Sequence, residues 1–138
     1  SSHRLPYVAA THRCSRPHGH TFHVRLFSDG TVRGPERPEA HECRGMVRDY
    51  DEIVRVWQPL HEQLDHVELN RVDGLDNPTC ENLAIWILER TPAWITAVEI
   101  GTGLVGGMRA ACRIGRTCVR QVGLELYASE YNNVESKV

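Results

Sequence analysis

The feature that most constrains this chain is the alternation from His18 to Ser28. His18, His20, Phe22, Val24 and Leu26 occupy one phase, and Gly19, Thr21, His23, Arg25 and Phe27 the other. A period of two puts each set on one face of an extended strand. One face is apolar and must be buried, so the chain has to supply a sheet and something to cover it. The same face opens with two imidazoles two residues apart, which therefore leave the backbone on one side. Gly19 between them leaves room for close approach of a backbone or ligand.

Upstream lie His3 and, in a polar segment bent by Pro17, Cys14. Three histidines from two nearby segments, with one position left open, is how a catalytic zinc is commonly held. A thiol beside that open position is a candidate nucleophile or base. His3, His18 and His20 are thus the candidate metal ligands and Cys14 the candidate catalytic group.

His3 to Leu5 reads as the end of a strand that Pro6 terminates. Asp29 to Arg44 reads as a turn and loop, and Gly45 to Arg48 as a short strand. Asp49 opens a helix. Ile53, Val56, Trp57, Leu60 and Leu64 fall at helical spacing, with Asp51 and Glu52 in the first turn; Pro59 is expected to kink or shorten it. Asn77 and Pro78 predict the cap and first turn of a second helix, with Leu83, Trp86, Ile87 and Leu88 on its apolar side. Ile95 to Ile100 reads as a strand. Met108 to Arg120 reads as a short helix, on which Arg109, Arg113, Arg116 and Arg120 share a face. Val122 to Ala128 reads as the last strand. The order of strands and helices predicts an α+β domain, a sheet backed by two helices.

With 138 residues, 41% of them hydrophobic, the chain suits one domain, here 1–138. A net charge of -2 gives no basic excess to favour nucleic acid. No apolar run approaches the ~20 residues that cross a bilayer. Five cysteines without framework spacing point to a reducing compartment, and so to the cytoplasm.

Five short stretches then meet a known family in order: Ser2-His3-Arg4-Leu5-Pro6, Cys14-x-x-x-His18-Gly19-His20, Gly45-Met46-Val47-x-Asp49-Tyr50, Leu64-Asp65-His66-x-x-Leu69-Asn70 and Pro78-Thr79-x-Glu81-Asn82. Together they resemble the 6-pyruvoyl-tetrahydropterin synthase superfamily. The three residues between Cys14 and His18 are similar to its bacterial 6-carboxy-tetrahydropterin synthase branch, which serves queuosine and other 7-deazapurine pathways. The resemblance makes His3, not His12, the first ligand.

It implies a tunnelling fold: a four-stranded antiparallel sheet with two helices, closing with other subunits into an oligomeric barrel, a homohexamer built as a dimer of trimers. It implies a zinc-dependent lyase that converts 7,8-dihydroneopterin triphosphate to 6-carboxy-5,6,7,8-tetrahydropterin, releasing acetaldehyde and triphosphate. Cys14 would move a proton at the side-chain carbon, and His66, oriented by Asp65, would shuttle protons on the opposite face. The family's last strand ends in a Glu-Thr pair whose glutamate grips the pterin. Aligned on Val122 to Ala128, that position holds Ala128, which leaves Glu130, or Glu99 from the earlier strand, as the substrate-binding carboxylate. The stretch at about 101–120 then reads as an insertion. Two alternatives stay open: a pyruvoyl-type synthase, and an altered homologue that binds zinc and pterin without this chemistry.

Overall fold

A computed structural model describes the backbone of residues 1–34, 44–102, 109–113, 116–122 and 135–137, and side chains within 1–34 and 44–102. The described elements are strands β1 (Ser2–His3), β2 (His18–Gly19) and β3 (Phe22–Ser28), helices α1 (Tyr50–Leu64) and α2 (Cys80–Glu89), and strands β4 (Ile95–Thr102), β5 (Arg109–Arg113), β6 (Arg116–Val122) and β7 (Glu135–Lys137). The protein is α+β, with two helices and antiparallel sheets. β1 and β2 form a small sheet, and the main sheet runs β6-β5-β4-β3-β7. Among the described residues it has five strands, where four were expected.

Alternation along β3 buries Phe22, Val24 and Leu26. Opposite them β4 presents Val98 and Ile100. A bulge where Phe27 gives way to Ser28 skips Thr96 and returns Ile95 to the core side. The helices cover this face. Ile53, Trp57, Leu60 and Leu64 recur on one stripe of α1, and Leu83, Ala84, Trp86, Ile87 and Leu88 do so on α2; all join one core with the strand residues.

Helix ends follow their local chemistry. Asp49 accepts from the Asp51 N–H and caps α1, which runs unbroken through Pro59. α2 starts later than expected: Thr79, not Asn77, is the cap and accepts from the Asn82 N–H at 3.2 Å. Asn77 works through its main chain, whose carbonyl accepts from the Asn82 side chain at 2.8 Å. At Gly74, φ is +81° and a Cβ would meet the Trp86 ring at 3.3 Å, so the turn between Asp73 and Leu75 requires glycine.

Two expectations fail. Residues 45–48 form no strand; Gly45 and Met46 make only two main-chain bonds with Arg33. The helix expected over 108–120 is instead β5 and β6, paired with Arg113 opposite Arg116. Steps of three and four among arginines carry no apolar stripe to hold a helix down. The open edge of β4 meanwhile offers hydrogen bonds to β5, whose neighbour β6 includes Thr117 and Val119. The final strand expected over Val122 to Ala128 is a separate matter: residues 123–128 lie outside the described residues, as does Glu130. The edge partner of β3 is β7, which no sequence pattern announced.

Candidate functional site

The site begins with two very short strands. Ser2 pairs with Gly19 and His3 with His18. The His20 N–H donates to the Ser1 carbonyl at 2.9 Å, which continues the pairing past β2. This registers His3 against His18 and His20. The expected long strand is interrupted at His20 and Thr21, yet its phase survives the break: the His20 ring lies 5.6 Å from Phe22 and the His3 ring 5.7 Å from it. A Cβ at Gly19 would meet only the Ser1 carbonyl oxygen, at 3.9 Å, so the protein's own packing leaves space beside Gly19.

The three rings converge. Their centroids lie 4.6 to 4.9 Å apart, and one nitrogen from each lies within 4.8 Å of the other two. Among the described residues this is the one such group of potential ligands. His18 Nδ1 lies 2.8 Å from the Arg16 carbonyl oxygen. A carbonyl only accepts, so Nδ1 carries the proton and Nε2 the lone pair. That Nε2 is buried without a hydrogen-bond partner, and so is His3 Nδ1. Buried polar atoms without partners are costly, and a shared cation satisfies them. Burial, and after it the neighbouring His18 and His20, lower the His3 pKa to about 4; His20 is lowered for the same leading reason. Three imidazoles brought this close form a donor set suited to zinc, with a fourth position left over.

The remaining candidates sit on segments tied to this sheet. Cys14 lies on a 3-10 turn, Arg13–Ser15, and is a free, half-buried thiol; it is not part of the three-histidine group. Its carbonyl accepts from the Leu5 N–H at 2.8 Å. His12 lies outside that group as well: its Nδ1 accepts from the Cys14 N–H at 3.1 Å and caps the turn. Asp65 caps the end of α1, and its Oδ2 lies 2.8 Å from His66 Nδ1. The bond from His66 holds the Asp65 carboxyl below its ordinary pKa. His66 is 91% exposed and has φ of 54°, the one left-handed non-glycine among the described residues. The next carbonyl, Val67, accepts from the Ser2 N–H at 3.0 Å, so β1 lies between the histidine hairpin and the Asp65-His66 turn.

Glu99 lies elsewhere. It faces away from the helix-covered core, and its Oε1 is 3.3 Å from Arg25 Nη1 on the neighbouring strand. The histidines instead belong to the small sheet of β1 and β2 and its continuation to His20, with the His3 and His20 rings against Phe22. Sequence reasoning missed Arg25 as the partner of Glu99, though the register of two alternating strands holds that signal. It also missed the Arg16 carbonyl, for which the two-residue spacing around Pro17 was the only hint. No helix among the described residues is long and apolar enough to cross a membrane.

The family profile for 6-pyruvoyl tetrahydropterin synthase matches residues 1–101. The chain is 36% identical over 73 residues to the dihydroneopterin monophosphate aldolase of Pyrococcus furiosus, covering 53% of this chain and 54% of that protein. It is 33% identical over 91 residues to the 6-carboxy-5,6,7,8-tetrahydropterin synthase of a Synechocystis species, covering 65% and 66%. The chain thus spans between about half and two thirds of these relatives' lengths.

Proposed function

This chain belongs to the 6-pyruvoyl tetrahydropterin synthase family, and on that premise we propose that it is a zinc-dependent lyase acting on a phosphorylated dihydroneopterin. The reading we favour is conversion of 7,8-dihydroneopterin triphosphate to 6-carboxy-5,6,7,8-tetrahydropterin with loss of acetaldehyde and triphosphate. The observation that carries it is the convergence of His3, His18 and His20 with two buried, unpartnered ring nitrogens among them. The 33% identity to a synthase named for that product supports the product assigned here.

His3, His18 and His20 would hold the metal, which when bound would supply Lewis acidity to the side-chain hydroxyls. Cys14, on its capped turn, takes the proton from the side-chain carbon. Asp65 keeps the proton of the His66 ring on Nδ1, so Nε2 faces the substrate as a base and afterwards returns a proton. Pterin recognition falls to a carboxylate, with Glu99 and Glu130 as candidates. Because the family match stops inside β4, we take the stretch at about 101–120 as an insertion into the family's domain. We take the chain to be one domain with the tunnelling fold, assembling into a hexameric barrel.

The test is product analysis. Zinc-loaded protein given 7,8-dihydroneopterin triphosphate should release triphosphate and acetaldehyde in equal amounts and leave a product of the carboxy mass; no triphosphate would refute the reading. A product of pyruvoyl mass would select the alternative synthase. The likeness to an aldolase favours one further reading: turnover of dihydroneopterin monophosphate with no phosphate released. Tight pterin binding without turnover of either would mark an altered homologue.

A further inference from the structure

Asn70 has no role in the chemistry above, yet its side chain makes three hydrogen bonds to main chain. Its Oδ1 accepts from the Arg4 N–H at 2.8 Å, and its Nδ2 donates to the Arg4 carbonyl at 2.9 Å and to the Asp76 carbonyl at 3.0 Å. Two of these engage both polar groups of the residue after His3.

That arrangement copies a neighbouring strand. Along the first segment, main-chain bonds alternate in direction. Ser2 donates to Val67 on one side; His3 pairs with His18 on the other; Leu5 donates to Cys14 on that second side. Arg4 therefore points its N–H and carbonyl toward the Val67 side, where the chain has already curled into the 3-10 turn Leu69–Arg71. No strand backbone is there to receive them, and the Asn70 amide takes its place. An amide is the one short side chain that offers a donor and an acceptor side by side.

We propose that Asn70 is a positioning residue for the metal site. It holds the first segment extended past the two residues of β1, so that His3 stays aimed at His18 and His20 and Leu5 stays bonded to Cys14. β1 is too short to hold itself: without Asn70, Arg4 loses both partners beside the ligand. The same amide sits four residues after His66, so one side chain ties the ligand His3 to the turn carrying Asp65 and His66. The inference rests on the metal reading above and adds a residue to it.

Zinc affinity measured by competition with a chromophoric chelator tests it without any substrate. Asn70→Ala should bind zinc about 10–100-fold more weakly than the unaltered protein, the range typical of lost supporting bonds around metal ligands. Asn70→Asp keeps the shape and the bond from the Arg4 N–H but turns an acceptor toward two carbonyls; it should lose as much, and it carries the comparison if the alanine variant does not fold. Asn82→Ala is the control, since that amide braces the Asn77 carbonyl in a loop without touching β1. It should lower the melting temperature while leaving zinc affinity within about twofold. Unchanged affinity in both Asn70 variants, or equal loss in Asn82→Ala, overturns the inference. Failure of the unaltered protein to take up zinc overturns the metal reading along with it.

Discussion

His18 Nδ1 donates to the main-chain carbonyl of Arg16 at 2.8 Å, which leaves Nε2 as the nitrogen free to bind a cation. The bond is local, closed across Pro17, and it orients the ring of this candidate ligand without a metal. His18→Ala should reduce zinc content from one ion per chain to a trace, as read by metal analysis after dialysis. His12→Ala, which alters only a cap, should keep full zinc; a zinc loss there would show that the ligand set is wrong.

Cys14 is held by the Leu5 N–H and by the His12 cap, and it lies outside the ligand group. Cys14→Ala should keep its zinc and its melting temperature and lose turnover by at least a thousandfold. A rate within tenfold of the unaltered enzyme would remove the thiol from proton transfer.

The histidine cluster makes the metal-free protein acid-sensitive. The His3 pKa is lowered to about 4 by burial first and by its histidine neighbours next. The unfolded chain, with an ordinary histidine near 6.5, binds the extra proton first as pH falls. Stability contributed by neutral His3 is thus full above about 6.5, declines through the window down to about 4 and is gone below it. A difference of that size is worth about 3 kcal/mol at most. Chemical denaturation of metal-free protein at pH 7, 5.5 and 4 should show the decline, and His3→Gln should flatten it. A stability that is level over this window would contradict the burial of His3.

His66 occupies the left-handed region at φ of 54°. An L-residue with a Cβ is disfavoured there by roughly 1 kcal/mol, and glycine is not. The Asp65-His66 pair is too exposed to offset this. His66→Gly should therefore be more stable than His66→Ala by about 1 kcal/mol in thermal melts, the reverse of the usual order. Both should lose turnover. If alanine proves the more stable, the backbone there is not left-handed.

Much of the site was legible because its information is local. Two imidazoles at a spacing of two share a face in any extended segment, and Asp65 beside His66 pairs without help from elsewhere. The helices were legible for a similar reason: Ile53, Trp57, Leu60 and Leu64 announce a stripe whatever they pack against. Errors fell where short local signals competed. Asn77 and Thr79 are both good caps, and only the placement of the Asn77 carbonyl decides for Thr79. The arginine spacing over 109–120 suited a helix as well as two strands.

From the order of its residues alone, this protein was bound to have a strand with one apolar face, two amphipathic helices and histidines aimed the same way, because side-chain direction follows from backbone period. Tertiary structure decided what pairs across distance. It brought His3 onto His18, put Glu99 against Arg25, turned residues 109–113 and 116–122 into sheet at the edge of β4, and lent Arg4 the amide of Asn70 as a strand. Such choices depend on which main-chain groups are left open once the core has closed.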